Sequence, residues 1–238
     1  MLSAAILTPL LGRSGDLRGR KKILVVSVAG LVLGSLLAAT VHSWPILIAA
    51  RVLQGFGGGI LPLAIAVIRD ELPKERVVGA VSLVSASLGV GSGLGLVGTG
   101  WVMQHGGYQD VFLMGLVLAA IGLVGVLFFV PRDPVVDKNG GIDPLGALLL
   151  AGWLAALLLA VSEGNDWGWV SAPTIGLFLA AALGLVVWVL VERRVSHPLV
   201  DVSMLLKPAV AVTNISAAFI GFAMYAAFML LSDFTQTP

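Results

Sequence analysis

Seven apolar stretches, each long enough as a helix to cross a lipid bilayer, set the terms for this chain. They run approximately from Ile23 to Val41, Pro45 to Ile68, Val77 to Met103, Val111 to Val130, Pro144 to Val161, Pro173 to Val191 and Ala209 to Leu231. A helix rises about 1.5 Å per residue and needs about 20 residues to cross the hydrocarbon. In lipid every backbone N–H and C=O must be bonded within the spanning element, which leaves helices or closed barrels. The stretches are too long for barrel strands and lack their alternation of apolar and polar residues. The expected fold class is therefore all-α, a polytopic transmembrane bundle of seven complete spans plus a stub. That stub, Met1 to Leu11, is too short to span and reads as the tail of a helix whose beginning is absent. The chain stops at Pro238 just after another apolar run, so the sequence reads as a piece of a longer protein.

Charge then orients the bundle. The densest charged run, Gly12 to Lys22, holds Arg13, Arg18, Arg20, Lys21 and Lys22 and reads as a loop between the stub and the first full span. Loops rich in Lys and Arg stay on the cytoplasmic side. Alternating sides from there puts Arg69, Lys74, Arg76, Arg132, Lys138, Arg193, Arg194 and Lys207 on the same side, so that 13 of the 14 basic residues face the cytoplasm. The opposite connectors carry Asp110, Glu163, Asp166 and Asp233 instead. A miscounted helix would have scattered these charges, so the separation supports the number of spans as well as their direction.

Other chemistries are excluded by what the composition offers. With 58% hydrophobic and 11% charged residues the chain belongs in a membrane, where a soluble domain carries roughly a quarter charged residues. No cysteine is present, which removes disulfides and thiolate chemistry. His42, His105 and His197 fall in connectors without metal-ligand spacing, and no pair of membrane-buried carboxylates is expected. Neither nucleophile nor metal cluster emerges, so the chain is not expected to be an enzyme. The net charge of +1 gives no footprint for nucleic acid.

Arg51 is the exception to the charge pattern, about six residues, or roughly 9 Å, inside its span. A cation there is costly. Either it snorkels to the outer headgroups or it faces the interior of the bundle. At 100° per residue Gly55, Gly58 and Pro62 share its side of the helix, with Gln54 close by, and small residues beside a cation permit either a close neighbouring helix or an open, watered space. Gly57, Gly58, Gly59 and Pro62 also make this helix bendable.

The third span carries two glycine stripes on opposite faces, Gly91, Gly95 and Gly98 against Gly89, Gly93 and Gly100, both suited to close helix packing. Ser85, Ser92 and Thr99 form a polar line between them that either faces a cavity or bonds its own backbone. Gly93 to Gly98 matches the spacing of a dinucleotide-binding loop, but it lies inside a continuous apolar helix with no preceding strand, and the match is rejected. In the last span Asn214, Ala218, Gly221, Tyr225 and Ser232 share one face, suited to a substrate path or to hydrogen bonds between helices.

Three of these patterns resemble motifs of one family. Gly12, Asp16, Gly19, Arg20 and Lys21 resemble motif A of the major facilitator superfamily, although Leu17 stands where a basic residue is usual. Leu47, Arg51, Gln54, Gly55 and Gly57 resemble motif B of its proton-coupled members. Gly91, Gly95 and Gly100 resemble the antiporter motif C, with Leu96 in place of the usual proline and Thr99 in place of a glycine. Two compact spans before the helix with Asn214 resemble the fourteen-helix drug:proton antiporters, where two extra helices separate two six-helix halves.

The resemblance implies that residues 1–130 form the N-terminal half without helix 1 and most of helix 2. Residues 131–207 would hold the two extra helices, and 208–238 the first helix of the second half. It implies export of small amphipathic or cationic compounds by alternating access, driven by a proton gradient and without a cofactor. Arg51 and Gln54 would take part in proton coupling. Gly12, Asp16, Gly19, Arg20 and Lys21 would form a cytoplasmic latch, with Asp16 bonding backbone amides near a helix start. Gly91, Gly95 and Gly100 would tighten a helix interface, and Ser92, Thr99, Asn214 and Tyr225 are candidates for the substrate path. The partners implied are substrate, protons, membrane lipid of the cell membrane and the remainder of the transporter fold. Another substrate or direction within the same fold, and a truncated protein that does not transport, are the alternatives.

Overall fold

The computed structural model describes residues 2–41, 43–131, 141 and 143–236, with side chains through 227. His42, Arg132, Lys138 and most of the connector before α7 lie outside the described residues. Those described form helices without a strand: α1 (Leu2–Arg18), α2 (Arg20–Thr40), α3 (Trp44–Gln54), a 3-10 segment (Gly55–Gly59), α4 (Ile60–Glu71), α5 (Lys74–His105), α6 (Tyr108–Phe129), α7 (Pro144–Trp167), α8 (Ala172–Glu192), the short α9 (Val202–Leu205) and α10 (Pro208–Gln236). With α3, the 3-10 segment and α4 counted as one span, seven are long and apolar enough to cross a membrane.

Two boundaries differ from the expectation. The basic run from Gly12 to Lys22 is not a loop, because α1 continues to Arg18 and α2 begins at Arg20, leaving Gly19 as the entire connection. Charges at a membrane surface mark a side and do not oppose helix formation, since Arg and Lys are good helix formers. Gly19 breaks the helix because its backbone takes φ 96°, a region glycine enters without a Cβ clash. The second difference is in the span with Arg51, where Gly55–Gly59 winds as a 3-10 helix between two α segments. A wheel at 100° per residue therefore fails beyond Gly55. Pro62 falls in the first turn of α4, where the missing N–H costs least.

The starts of α7 and α8 carry side-chain caps. Asp143 accepts from the Leu145 N–H at 3.0 Å and Ser171 from Thr174, each followed by proline in the first turn. α2 lies between α3 and α6, and α7 packs along α8. One apolar core gathers Leu11, Ile23, Leu24, Val28 and Leu63, with Phe56 and Leu123 against it. A second gathers Leu150, Trp188, Leu199 and Val202, with Leu10 of α1 joining the pair α7 and α8 to the rest.

Close approach between helices is set by glycines. A Cβ on Gly34 would come within 2.7 Å of the Ala50 carbonyl oxygen and of the Gln54 amide nitrogen, both backbone of α3. Gly34→Val should therefore push α2 from α3 and lower stability by about 1–3 kcal/mol, as overpacked cores do. A melting temperature equal to that of the parent in detergent would show that the contact relaxes freely.

Candidate functional site

The candidate site begins with the hairpin of α2 and α3, whose tight contact at Gly34 fixes the facing residues. Gln54, the last residue of α3, donates from Nε2 to Ser35 Oγ at 3.2 Å and accepts from Arg51 Nη1 at 3.2 Å. The guanidinium also lies over the Phe112 ring of α6, with Cζ 4.9 Å from the ring centroid, where the negative π face attracts a cation. Three helices thereby hold one arginine. The Arg51 side chain is exposed and forms part of the wall of a cleft of about 720 Å³, lined also by Ser3, Trp44, Leu47, Ile48 and Gln54.

The glycines expected beside Arg51 serve close packing. A Cβ on Gly55 would meet Ser3 Oγ at 2.3 Å, and one on Gly58 would meet Thr8 Oγ1 at 2.6 Å, so the 3-10 segment presses directly on α1. Ser3 in turn donates to the Arg51 carbonyl at 3.3 Å. Arg51 is thus not buried beside these glycines. It projects at the open end of the surface that they close.

A second constellation lies at the other end of the same helices. Arg20 donates from Nε and Nη2 to Asp16 Oδ1, at 3.2 and 3.1 Å, across the Gly19 break. From Nη1 it donates to the Ala66 carbonyl at 3.1 Å and to Asp70 Oδ2, both on α4. Its side chain is 14% exposed, whereas Asp16 and Asp70 are each 40% exposed. Lys21 Nζ donates to the Leu127 carbonyl at 3.0 Å and to the Val130 carbonyl, capping the last turn of α6 with a cation where the helix dipole favours one. One short stretch therefore ties together α1, α2, α4 and α6.

Asp16 does not play the part expected of it. The start of α2 has no side-chain cap, and the Asp16 carboxylate turns to the Arg20 guanidinium, which offers a charged fork in place of polar amides. Gly12 would have open space around a Cβ, so nothing in its surroundings demands glycine.

The remaining candidates stand apart. α5 has no buried residue, and a Cβ on Gly91, Gly95 or Gly100 would meet nothing within 4 Å. Ser92 donates to the Gly89 carbonyl at 2.9 Å and Ser85 to the Val81 carbonyl at 2.9 Å, so both hydroxyls bond their own helix. Thr99, half-buried on α5, and Asn214 and Tyr225, exposed on α10, are not brought to the cleft around Arg51. The rejected glycine pattern from Gly93 to Gly98 lies inside α5, as a helix reading requires.

Sequence reading missed Ser35, Phe112 and Asp70. Asp70 carried a signal, an acidic residue beside Arg69 at the same membrane level as Arg20. Ser35 and Phe112 carried none, because their role depends on how α2, α3 and α6 are rotated. Also missed is a pair of buried carboxylates, Asp143 and Glu192, at the ends of α7 and α8. Their separation in sequence hides them, and the antiparallel packing of the two helices brings them together.

Comparison with known proteins places these observations in context. The family model described as Major Facilitator Superfamily matches residues 1–237. The chain is 32% identical to the multidrug resistance protein B homolog of Mycobacterium tuberculosis, and 28% identical to the multidrug transporter protein MdtP of Bacillus subtilis. In each case 99% of this chain aligns with 44% of the relative. It is also 30% identical to the uridine/deoxyuridine transporter of Lactococcus lactis, over 85% of this chain and 43% of that protein. The chain thus spans less than half the length of the curated relatives it matches.

Proposed function

Because this chain belongs to the Major Facilitator Superfamily, and is a multi-pass membrane protein of a small-molecule transporter family, we propose that it is part of a proton-coupled exporter of amphipathic or cationic compounds. The observation that carries this reading is the arginine held by Gln54 and Phe112 at the wall of a cleft within a helical bundle. A fixed cation in a low-dielectric surrounding lowers the pKa of a carboxylate that approaches it and raises the cost of a second cation. Beside a carboxylate supplied by the remainder of the transporter fold, such an arginine keeps that group's proton affinity low enough for a proton and a cationic substrate to occupy it in alternation, which is the requirement for exchange. Relatives named for multidrug resistance and transport support the export of drug-like compounds.

Alternating access requires one set of contacts that holds a state and releases it. The network of Asp16, Arg20, Asp70 and Lys21 is suited to that latch, on the cytoplasmic side of the cell membrane. The glycines Gly91, Gly95 and Gly100 on α5 are suited to packing against the remainder of the transporter fold, with Ser92, Thr99, Asn214 and Tyr225 near the substrate path. No cofactor is needed, since the proton gradient supplies the energy.

Cells expressing the full-length gene and loaded with a lipophilic cationic dye should extrude it, and extrusion should stop when a protonophore collapses the gradient. Extrusion that continues unchanged without a gradient would count against proton coupling. The uridine/deoxyuridine transporter among the relatives favours a second reading, carriage of a polar metabolite by the same fold. A substrate panel in vesicles with an imposed gradient separates the two by direction and by chemistry.

A further inference from the structure

Asp143 opens α7 and Glu192 closes α8, and both are almost fully buried, 8% and 3% exposed. One oxygen of each is engaged by backbone: Asp143 Oδ1 accepts from the Leu145 N–H at 3.0 Å, and Glu192 Oε2 from the Leu199 N–H at 2.9 Å. The other oxygen of each, Asp143 Oδ2 and Glu192 Oε1, is buried without a well-formed hydrogen bond, and the equally unbonded indole N–H of Trp188 lies beside the Glu192 carboxylate. Both of these oxygens lie beside Gly146. A Cβ on Gly146 would lie 2.6 Å from Asp143 Oδ2 and 2.9 Å from Glu192 Oε1, so the absence of a side chain at Gly146 leaves room for both.

We infer that Asp143 and Glu192 form a proton-binding site in which Glu192 Oε1 carries a proton and donates it to Asp143 Oδ2, clasping the start of α7 to the end of α8. Two ionised carboxylates this close and this buried would repel each other and leave two acceptors unsatisfied, whereas one proton satisfies both. The helix ends decide which group holds it. Asp143 sits at the N-terminus of α7, which stabilises an anion, and Glu192 at the C-terminus of α8, which disfavours one. A transition-metal centre is not supplied by the described residues, among which no group of three His, Cys, Asp or Glu residues is present.

Among the described residues, the other charges on the surrounding elements are Arg13 and Asp16 on α1, which packs on α7, and Arg193, Arg194, His197, Asp201 and Lys207 in the chain after Glu192. None of them bonds either free oxygen. The site stands independently of the transport reading, since the clasp forms whatever the protein carries.

The test is infrared spectroscopy of the full-length protein in nanodiscs across pH. A carboxylic-acid C=O band should be present at neutral pH, disappear on alkalinisation, and be absent in Glu192→Gln. In Asp143→Asn its midpoint should fall by about one pH unit or more, because the like charge that resists ionisation of Glu192 is gone. A band that neither substitution alters, or no band at neutral pH, overturns the site. So does a band abolished by added sodium or magnesium at constant pH, which assigns the pocket to a metal cation.

Stability gives a second readout. Below its pKa the clasp is intact, and its contribution is lost as pH rises through that value. Glu192→Gln, whose amide can still donate to Asp143, should melt near the parent temperature at neutral pH and lose the alkaline decline, while Glu192→Ala melts lower. If the Gln and Ala variants melt alike, or if His197→Gln removes the alkaline decline, the proton is not on Glu192 and the inference fails.

Discussion

Replacing Arg51 by Ala in the full-length protein should reduce proton-driven transport about ten- to hundredfold, the effect of losing charge-assisted interactions of about 1.5–3 kcal/mol. The protein should still fold, because the side chain is exposed and its removal leaves no buried cavity. Gln54 keeps its bond to Ser35, and the packing of Gly55 and Gly58 on α1 does not involve the guanidinium. The expected loss is therefore one of charge at the cleft wall. Arg51→Lys separates charge from shape. Lysine supplies a cation but lacks the planar fork that reaches Gln54 while lying over Phe112, so partial transport is expected. Transport assayed in vesicles with and without a pH gradient distinguishes the variants. Undiminished coupled transport by Arg51→Ala in a well-expressed protein would remove this residue from the mechanism.

Charge reversal at Arg20 should have the next largest effect. The parent guanidinium is mostly buried between Asp16 and Asp70 and also holds the Ala66 carbonyl. Arg20→Glu places a third carboxylate among the two and removes the hydrogen bonds that Arg20 donates to Ala66 and Asp70 of α4. The maximal transport rate should fall about tenfold or more, whereas substrate affinity should stay within about twofold, because the network lies far along the helices from the cleft and does not touch it. The double replacement Arg20→Asp with Asp70→Arg restores opposite charges across α2 and α4 and should recover part of the rate. Binding measured by fluorescence quenching, beside initial rates, makes the comparison. Equal losses of affinity and rate would mean that the network supports the fold as a whole and is no latch.

Much of the architecture was legible because bilayer thickness sets a length that sequence reports directly. The apolar windows and the helices agree closely, and α7 and α10 run past the expected ends at Val161 and Leu231, α7 through the polar turns with Glu163 and Asp166. The basic run from Gly12 to Lys22 shows where that reading stops. Charge told its membrane level, but whether it was loop or helix depended on Gly19 alone. Arg51 was legible as an anomaly, a cation where cations are costly. Its partners were not, since Ser35 and Phe112 are ordinary residues until the rotation of α2 and α6 presents them. The glycine pattern of α5 was equally plain in sequence, yet apart from Gly98, which meets Met114 of α6, its stripes face open space, because periodicity identifies a packing face without identifying what packs there. Asp143 and Glu192 were invisible for a related reason: each looks like a solvated helix-end acid until the two ends meet.

The 3-10 segment between Arg51 and Asp70 gives this span the mechanics of a screw thread. Its five residues advance about 0.5 Å more per residue than an α-helix and turn about 20° further. Rewinding them into α geometry would shorten the span by about 2.5 Å and rotate its two halves by about 100° relative to each other. The cleft end with Arg51 and the network end with Asp70 are thus joined by an element in which any change of winding would rotate one end relative to the other. Four glycines and Phe56 make up that thread, so Phe56, seated against Gly30 and the first apolar core, is the one side chain of the segment that such a rewinding would have to displace.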